Sequence, residues 1–157
     1  MQGSINLKKK LSLFIASVLM IFTMFSTISS ADEAYIASFN ILRLGAAEKD
    51  MVQTAKLLQG FDLVGLVEVI NKKGIEELVD ELNRQSPNTW DYHISPFGVG
   101  SSKYKEYFGY VYKKDKVKFI KSEGFYKDGK SSLLREPYGA TFKIGNFDFT
   151  LVLVHTI

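Results

Sequence analysis

The spacing of apolar positions along the chain changes character twice. Leu11 to Phe25 is an apolar stretch, preceded by Lys8, Lys9 and Lys10 and followed by the small-residue run Ser26-Thr27-Ile28-Ser29-Ser30-Ala31. Ile36 to Phe39 then reads as a strand with Asn40 at its C-terminal end. A helix follows: Asp50 caps it, Gln53 stands three residues on as a capping-box partner, Met51, Ala55 and Leu58 keep helical spacing, and Gly60 stops it. Leu63-Val64-Gly65-Leu66-Val67 is a continuous apolar run, as in a strand covered on both faces, and it ends at Glu68. Together these make a β-α-β unit. Ile75, Leu78, Val79 and Leu82 then place a second amphipathic helix before Ser86-Pro87-Asn88.

Beyond that point the texture is β. Tyr92–Ser95, Tyr107–Tyr112, Val117–Phe125, Ala140–Ile144 and Phe147–Val154 are rich in aromatic and branched residues. Gly145-Asn146 predicts a hairpin between the last two, because both residues tolerate positive φ. Leu151-Val152-Leu153-Val154 reads as a strand buried on both faces, yet the sequence stops three residues later, so it reads as cut short.

Composition sharpens this picture. With 46% hydrophobic and 24% charged residues, the 157-residue chain suits one packed domain and excludes a wholly disordered one. The formal charge of +3 comes from 20 basic and 17 acidic side chains, and three of the lysines lie in residues 1–31, which contain no acid. The remainder therefore balances at 17 against 17 (20 − 3 = 17), so any polyanion binding is local rather than a property of the overall field. Residues 1–31 read as a signal peptide, with Asp32 as the mature N-terminus, or alternatively as an uncleaved anchor. Either predicts export, to a secreted or periplasmic location. The absence of cysteine excludes disulfides and thiolate metal sites.

In a parallel pair joined by one crossover, Asn40 and Glu68 should be neighbours at the strand ends, where such sheets bind ligands. There an amide and a carboxylate suit a hard cation such as Mg²⁺, while the plainer reading has them end a strand and begin a loop. His155 ends an apolar run and is either structural or a proton carrier near neutral pH. Glu106 either orients such an imidazole or is a solvated acid. Arg135 either clamps a phosphate or pairs internally with Glu136 or another acid. His93 alternates within a strand and is expected to face solvent, and Lys113-Lys114-Asp115-Lys116 is expected to be a solvated turn.

Several stretches, in order, resemble the endonuclease/exonuclease/phosphatase superfamily and within it the deoxyribonuclease I-like branch. They are Ala37-Ser38-Phe39-Asn40-Ile41, Val67-Glu68-Val69, Leu82 to Trp90, Ser102 to Tyr107, Arg135-Glu136-Pro137 and Val154-His155-Thr156. The resemblance implies an α/β (α+β) fold, a two-sheet α/β sandwich with outer helices, of which this chain would be the truncated N-terminal half. It implies that Asn40 and Glu68 hold the metal (Mg²⁺, with Ca²⁺ or Mn²⁺ as alternatives), that His155 and Glu106 are catalytic, and that Tyr104 and Arg135 contact substrate phosphate. The implied reaction is hydrolysis of DNA phosphodiester bonds, with DNA as the substrate partner. The sequence departs from the pattern at Leu42, where the family has an arginine, and the later Gly-Asp-Phe-Asn and Ser-Asp-His motifs are absent. The chain alone is therefore expected to be an inactive fragment whose inner sheet face lies exposed. Two alternatives remain: another phosphodiesterase of the superfamily, sphingomyelinase-like or inositol-phosphate phosphatase-like, and a non-catalytic exported binding remnant.

Overall fold

A computed structural model describes residues 33–127, 129 and 133–156. The signal peptide or anchor expected over residues 1–31 lies outside the described residues. The elements are β1 (Ile36–Leu44), α1 (Met51–Leu58), β2 (Leu63–Val69), α2 (Lys72–Gln85), β3 (Trp90–Ile94), β4 (Val99–Gly100), β5 (Lys105–Lys113), β6 (Val117–Phe125), β7 (Tyr138–Ile144) and β8 (Phe147–Leu153). Among the described residues, no helix is long and apolar enough to cross a membrane.

The strands form two sheets. The first has the order β1-β2-β5-β3, with β4 added against β5; the second runs β6-β7-β8. β1 and β2 are parallel, with Asn40 opposite Val67, so the β-α-β unit places Asn40 beside Glu68 as expected. The helices form where their caps are: Asp50 accepts from Gln53 N, and Asn71 from Gly74 N. Their apolar stripes, including Leu58, Ile75, Leu78 and Leu82, pack on one face of the first sheet against Val64, Leu66 and Val111.

The opposite face is covered by the second sheet. Leu63, Phe108, Tyr110 and Tyr112 meet Val117, Tyr138, Phe142, Ile144 and Leu153 in a second core. This corrects the expectation of an uncovered inner face, because three of the late β segments fold back as the covering layer. Two aromatic side chains, Tyr110 and Tyr138, illustrate the fit: the Tyr110 hydroxyl donates to the Tyr138 and Leu151 carbonyls, at 2.9 and 3.0 Å, and so ties the sheets together.

Three other expectations change. β8 is not buried on both faces: Phe149, Leu151 and Leu153 point inward, while Val152 and Val154 are exposed along the sheet's free edge. His93 does not face solvent, because β6 and β7 lie over its side of β3. Its ring stacks on Phe119 at 4.3 Å and its Nε2 lies 2.7 Å from the Tyr138 hydroxyl. Lys113 and Lys116 are not simply solvated either: both reach the buried Asp62, at 3.0 and 3.1 Å.

Candidate active site

Both parallel strands lose their alternation near their C-terminal ends. In β1, Ala37, Phe39 and Ile41 face the helices and the next residue to do so is Leu44; in β2, Val64 and Leu66 are followed by Val69. Each strand therefore carries one extra residue, and the ladder register shifts at both places. Such bulges re-aim side chains. Leu42, Arg43 and Glu68 all have positive φ (50°, 59° and 63°), and no other non-glycine described residue does. Conformations of this kind cost about 1–3 kcal/mol each and persist where the surroundings over-determine them. Here Asn71, the cap of α2, donates to the Gly45 carbonyl at 2.8 Å, and Ala46 and Ala47 N–H both bond to the Arg43 carbonyl. Gly74 packs so tightly on Gly45 that a Cβ would lie 2.7 Å from its backbone.

The bulge in β2 frees Glu68 from the helix-facing core. Asn40 Nδ2 donates to Glu68 Oε1 at 2.9 Å, and Asn40 Oδ1 accepts from Leu42 N–H at 2.9 Å. Asn40 thus couples the carboxylate to the strained turn. As arranged, it orients Glu68 through its amide nitrogen while its oxygen is shared with the backbone.

Glu106 approaches from β5 and is fully buried. It accepts from His155 Nδ1, and Arg135 Nε lies 3.2 Å from the same oxygen. The Arg135 contact lacks hydrogen-bond alignment, so it is an ion pair held by charge. With Nδ1 occupied, His155 turns Nε2 toward Glu68, 3.7 Å from Oε1. Glu68, Glu106 and His155 together form a cluster with metal-ligand spacing. Both basic contacts fall on Glu106 Oε1, and its Oε2 is buried without a hydrogen-bond partner, whereas Glu68 is partly exposed and offers a carboxylate to a hard cation. One carboxylate with water and phosphate oxygens is a donor set that suits Mg²⁺.

Sheet packing sets this geometry. His155 stands two residues beyond Leu153, whose side chain occupies the space above Gly65; a Cβ on Gly65 would lie 2.3 Å from it. Glycine at this position lets β8 approach β2 closely enough to bring the imidazole over Glu106. Tyr104 completes the rim: the guanidinium of Arg135 lies 5.9 Å from its ring centroid, and that of Arg43 lies 5.7 Å away. Burial chiefly, then the charges of Glu68 and Glu106, raises the Tyr104 phenol above its ordinary range, with Arg43 and Arg135 opposing. It therefore remains a hydrogen-bond donor at neutral pH.

All six sequence-derived candidates, Asn40, Glu68, Tyr104, Glu106, Arg135 and His155, thus fall in one neighbourhood at the rim between the sheets. Arg43 was not among them. Its only sequence signal was its place next to Leu42, after the strand-ending asparagine.

Deoxyribonuclease-1 of Mus musculus is 30% identical over 125 residues, covering 73% of this chain and 44% of that protein. A deoxyribonuclease of Thioalkalivibrio sp. (strain K90mix) is 29% identical over 123 residues, covering 76% of this chain and 34% of the relative. An endonuclease/exonuclease/phosphatase family protein from Leptotrichia buccalis superposes with a TM-score of 0.57 at 14% identity, over 80% of this chain and 55% of that one. The chain belongs to the deoxyribonuclease I-like branch of the endonuclease/exonuclease/phosphatase superfamily. No family model matches it. It spans less than half the length of the curated relatives described here. The superfamily fold is the mixed α/β arrangement described above, and the two curated relatives are deoxyribonucleases.

Proposed function

We propose that this chain carries the metal- and imidazole-bearing part of an exported, divalent-metal-dependent endonuclease that hydrolyses DNA phosphodiester bonds. The observation that carries the reading is the convergence of Glu68, Glu106 and His155 from β2, β5 and the end of β8. Glu68, oriented by Asn40, would hold Mg²⁺ or a similar cation, which when bound polarises a phosphoryl oxygen. Glu106 fixes the imidazole through Nδ1, leaving Nε2 to carry the proton that a leaving or attacking oxygen exchanges. Arg135 offsets the charge of the buried Glu106, and the protonated Tyr104 phenol offers a donor to a phosphate oxygen. The deoxyribonuclease relatives favour DNA over a lipid or inositol phosphodiester. Export rests on the leader-like residues 1–31.

Among the described residues, the cluster holds one imidazole and two carboxylates, one of which is held by His155 and Arg135, so the chain alone should hydrolyse DNA little or not at all. A plasmid-nicking assay with Mg²⁺ tests both parts, run on the chain itself and on the chain fused to the remaining length of the Mus musculus relative. The fusion should nick and a chelator should stop it. His155→Asn in the fusion should lower the rate by about 10²–10⁴-fold, while the chain alone should stay near background. Undiminished nicking by the His155→Asn fusion would overturn the proposed chemistry, and vigorous chelator-sensitive nicking by the chain alone would overturn its dependence on the remainder.

A further inference from the structure

We propose that Arg43 is a substrate-binding residue that holds a second phosphate of the polyanion, next to the one placed at Glu68 and His155; this inference rests on the phosphodiesterase reading above. Arg43 and Arg135 both lie within cation–π reach of the Tyr104 ring, but their charges are committed differently. Arg135 is largely buried and sits against Glu106. Arg43 is exposed and, among the described residues, has no ion-pair partner. Its guanidinium can stack on the phenol ring and still present its outer edge to an anion. Arginine suits that task, since its planar fork pairs with two phosphate oxygens at once.

The backbone supports the assignment. Alternation would send residue 43 away from the site, and the bulge in β1 reverses this. The left-handed conformations of Leu42 and Arg43 carry the guanidinium to Tyr104, and the same turn closes on Asn40 through the Leu42 N–H to Asn40 Oδ1 bond. Leu42 is itself largely exposed at this rim. Arg43 thus sits on a turn whose shape is fixed to Asn40, the side chain that orients Glu68.

The test is binding of a short fluorescent phosphorothioate DNA duplex, which resists cleavage, to the full chain in Mg²⁺ across a range of salt concentrations. Arg43→Gln should weaken binding about tenfold at about 50 mM salt and flatten the dependence of log K on log[salt] by about one, the contribution of one phosphate contact. Arg43→Asn, which tolerates the left-handed backbone and so keeps the turn, should do the same. Arg43→Lys should retain the slope at reduced affinity, since it keeps the charge and loses the fork. Wild-type affinity and slope in both neutral variants would overturn the proposal while leaving His155-dependent cleavage by the fusion intact. Weakened binding with an unchanged slope would also overturn it, because the loss would then be structural. No duplex binding by the wild-type chain would overturn this assignment, while DNA as the substrate stands or falls with nicking by the fusion.

Discussion

Two buried carboxylates stand about 20 Å apart along the strands of the first sheet, and each has two basic partners. Asp62, just before β2, is met by Lys113 and Lys116 and also accepts from Tyr35 N–H at 3.0 Å. Glu106, near the start of β5, is met by His155 and Arg135. Burial and pairing are alike, so neither distinguishes a working site from a structural one. The differences lie in the partners and the backbone. Asp62 is held by two permanent cations and an ordinary backbone. Glu106 is held by a titratable ring whose other nitrogen faces a second carboxylate, beside three residues in left-handed conformations. A buried ion pair is weak evidence for function by itself; an imidazole with one committed and one open nitrogen, framed by two bulges, is stronger.

The contrast predicts opposite consequences for substitutions at the two ends. His155→Asn should remove about 10²–10⁴-fold of the fused enzyme's rate and lower stability less than Asp62→Asn does, because the asparagine amide can still donate and Arg135 stays beside the buried Glu106. Asp62→Asn should reverse that pattern, leaving the nicking rate unchanged per folded molecule and lowering stability by about 2–4 kcal/mol in urea unfolding. Removing one partner of a buried pair strands the other, and the escape of the more exposed Lys116 into water trims the loss.

The pH dependence sharpens the same division. Burial alone would raise the Asp62 pKa, but the Tyr35 N–H, Lys113 and Lys116 outweigh it and hold the carboxyl below its ordinary value of 3.8. The stabilisation is therefore complete above that value and is lost as pH falls through the lower, folded one; acid unfolding of Asp62→Asn should lack this component. His93 acts at higher pH. Desolvation between the sheets lowers its pKa below the ordinary 6.5, so the unfolded chain binds the extra proton first and stability falls as pH drops below 6.5. His93→Phe should remove that dependence. Its neutral-pH stability should change by less than about 1 kcal/mol, since Tyr138 keeps Ser122 as a partner at 2.7 Å.

Much of the frame was legible because it rests on local rules. Asp50 with Gln53 and the spacing of Ile75, Leu78, Val79 and Leu82 mark the helices, and Gly145-Asn146 marks the hairpin. The juxtaposition of Asn40 with Glu68 follows from parallel pairing alone. The unread parts depend on contacts distant in sequence. An alternating segment does not say which sheet it joins, so the folding of β6–β8 over the first sheet, and with it the inward turn of His93, had no local signature. The runs at Leu42-Arg43 and Val67-Glu68 look like ordinary strand ends, and the left-handed residues there are imposed by packing around Gly45, Asn71 and Gly74. Lys113 and Lys116 have the composition of a solvated turn, and only the fold brings Asp62 beneath them.

The chain has two histidines, His155 in the carboxylate cluster and His93 stacked between the sheets, and this permits a direct test of where a divalent ion binds. The measurement is the NMR line width of both imidazoles during titration with Mn²⁺, whose broadening falls steeply with distance. The ring signals of His155 should disappear at low Mn²⁺ while those of His93 remain sharp, and Glu68→Gln should restore the His155 signals. Equal broadening of the two rings, or loss of the His155 signals that persists in Glu68→Gln, would contradict a metal held by Glu68 beside the imidazole.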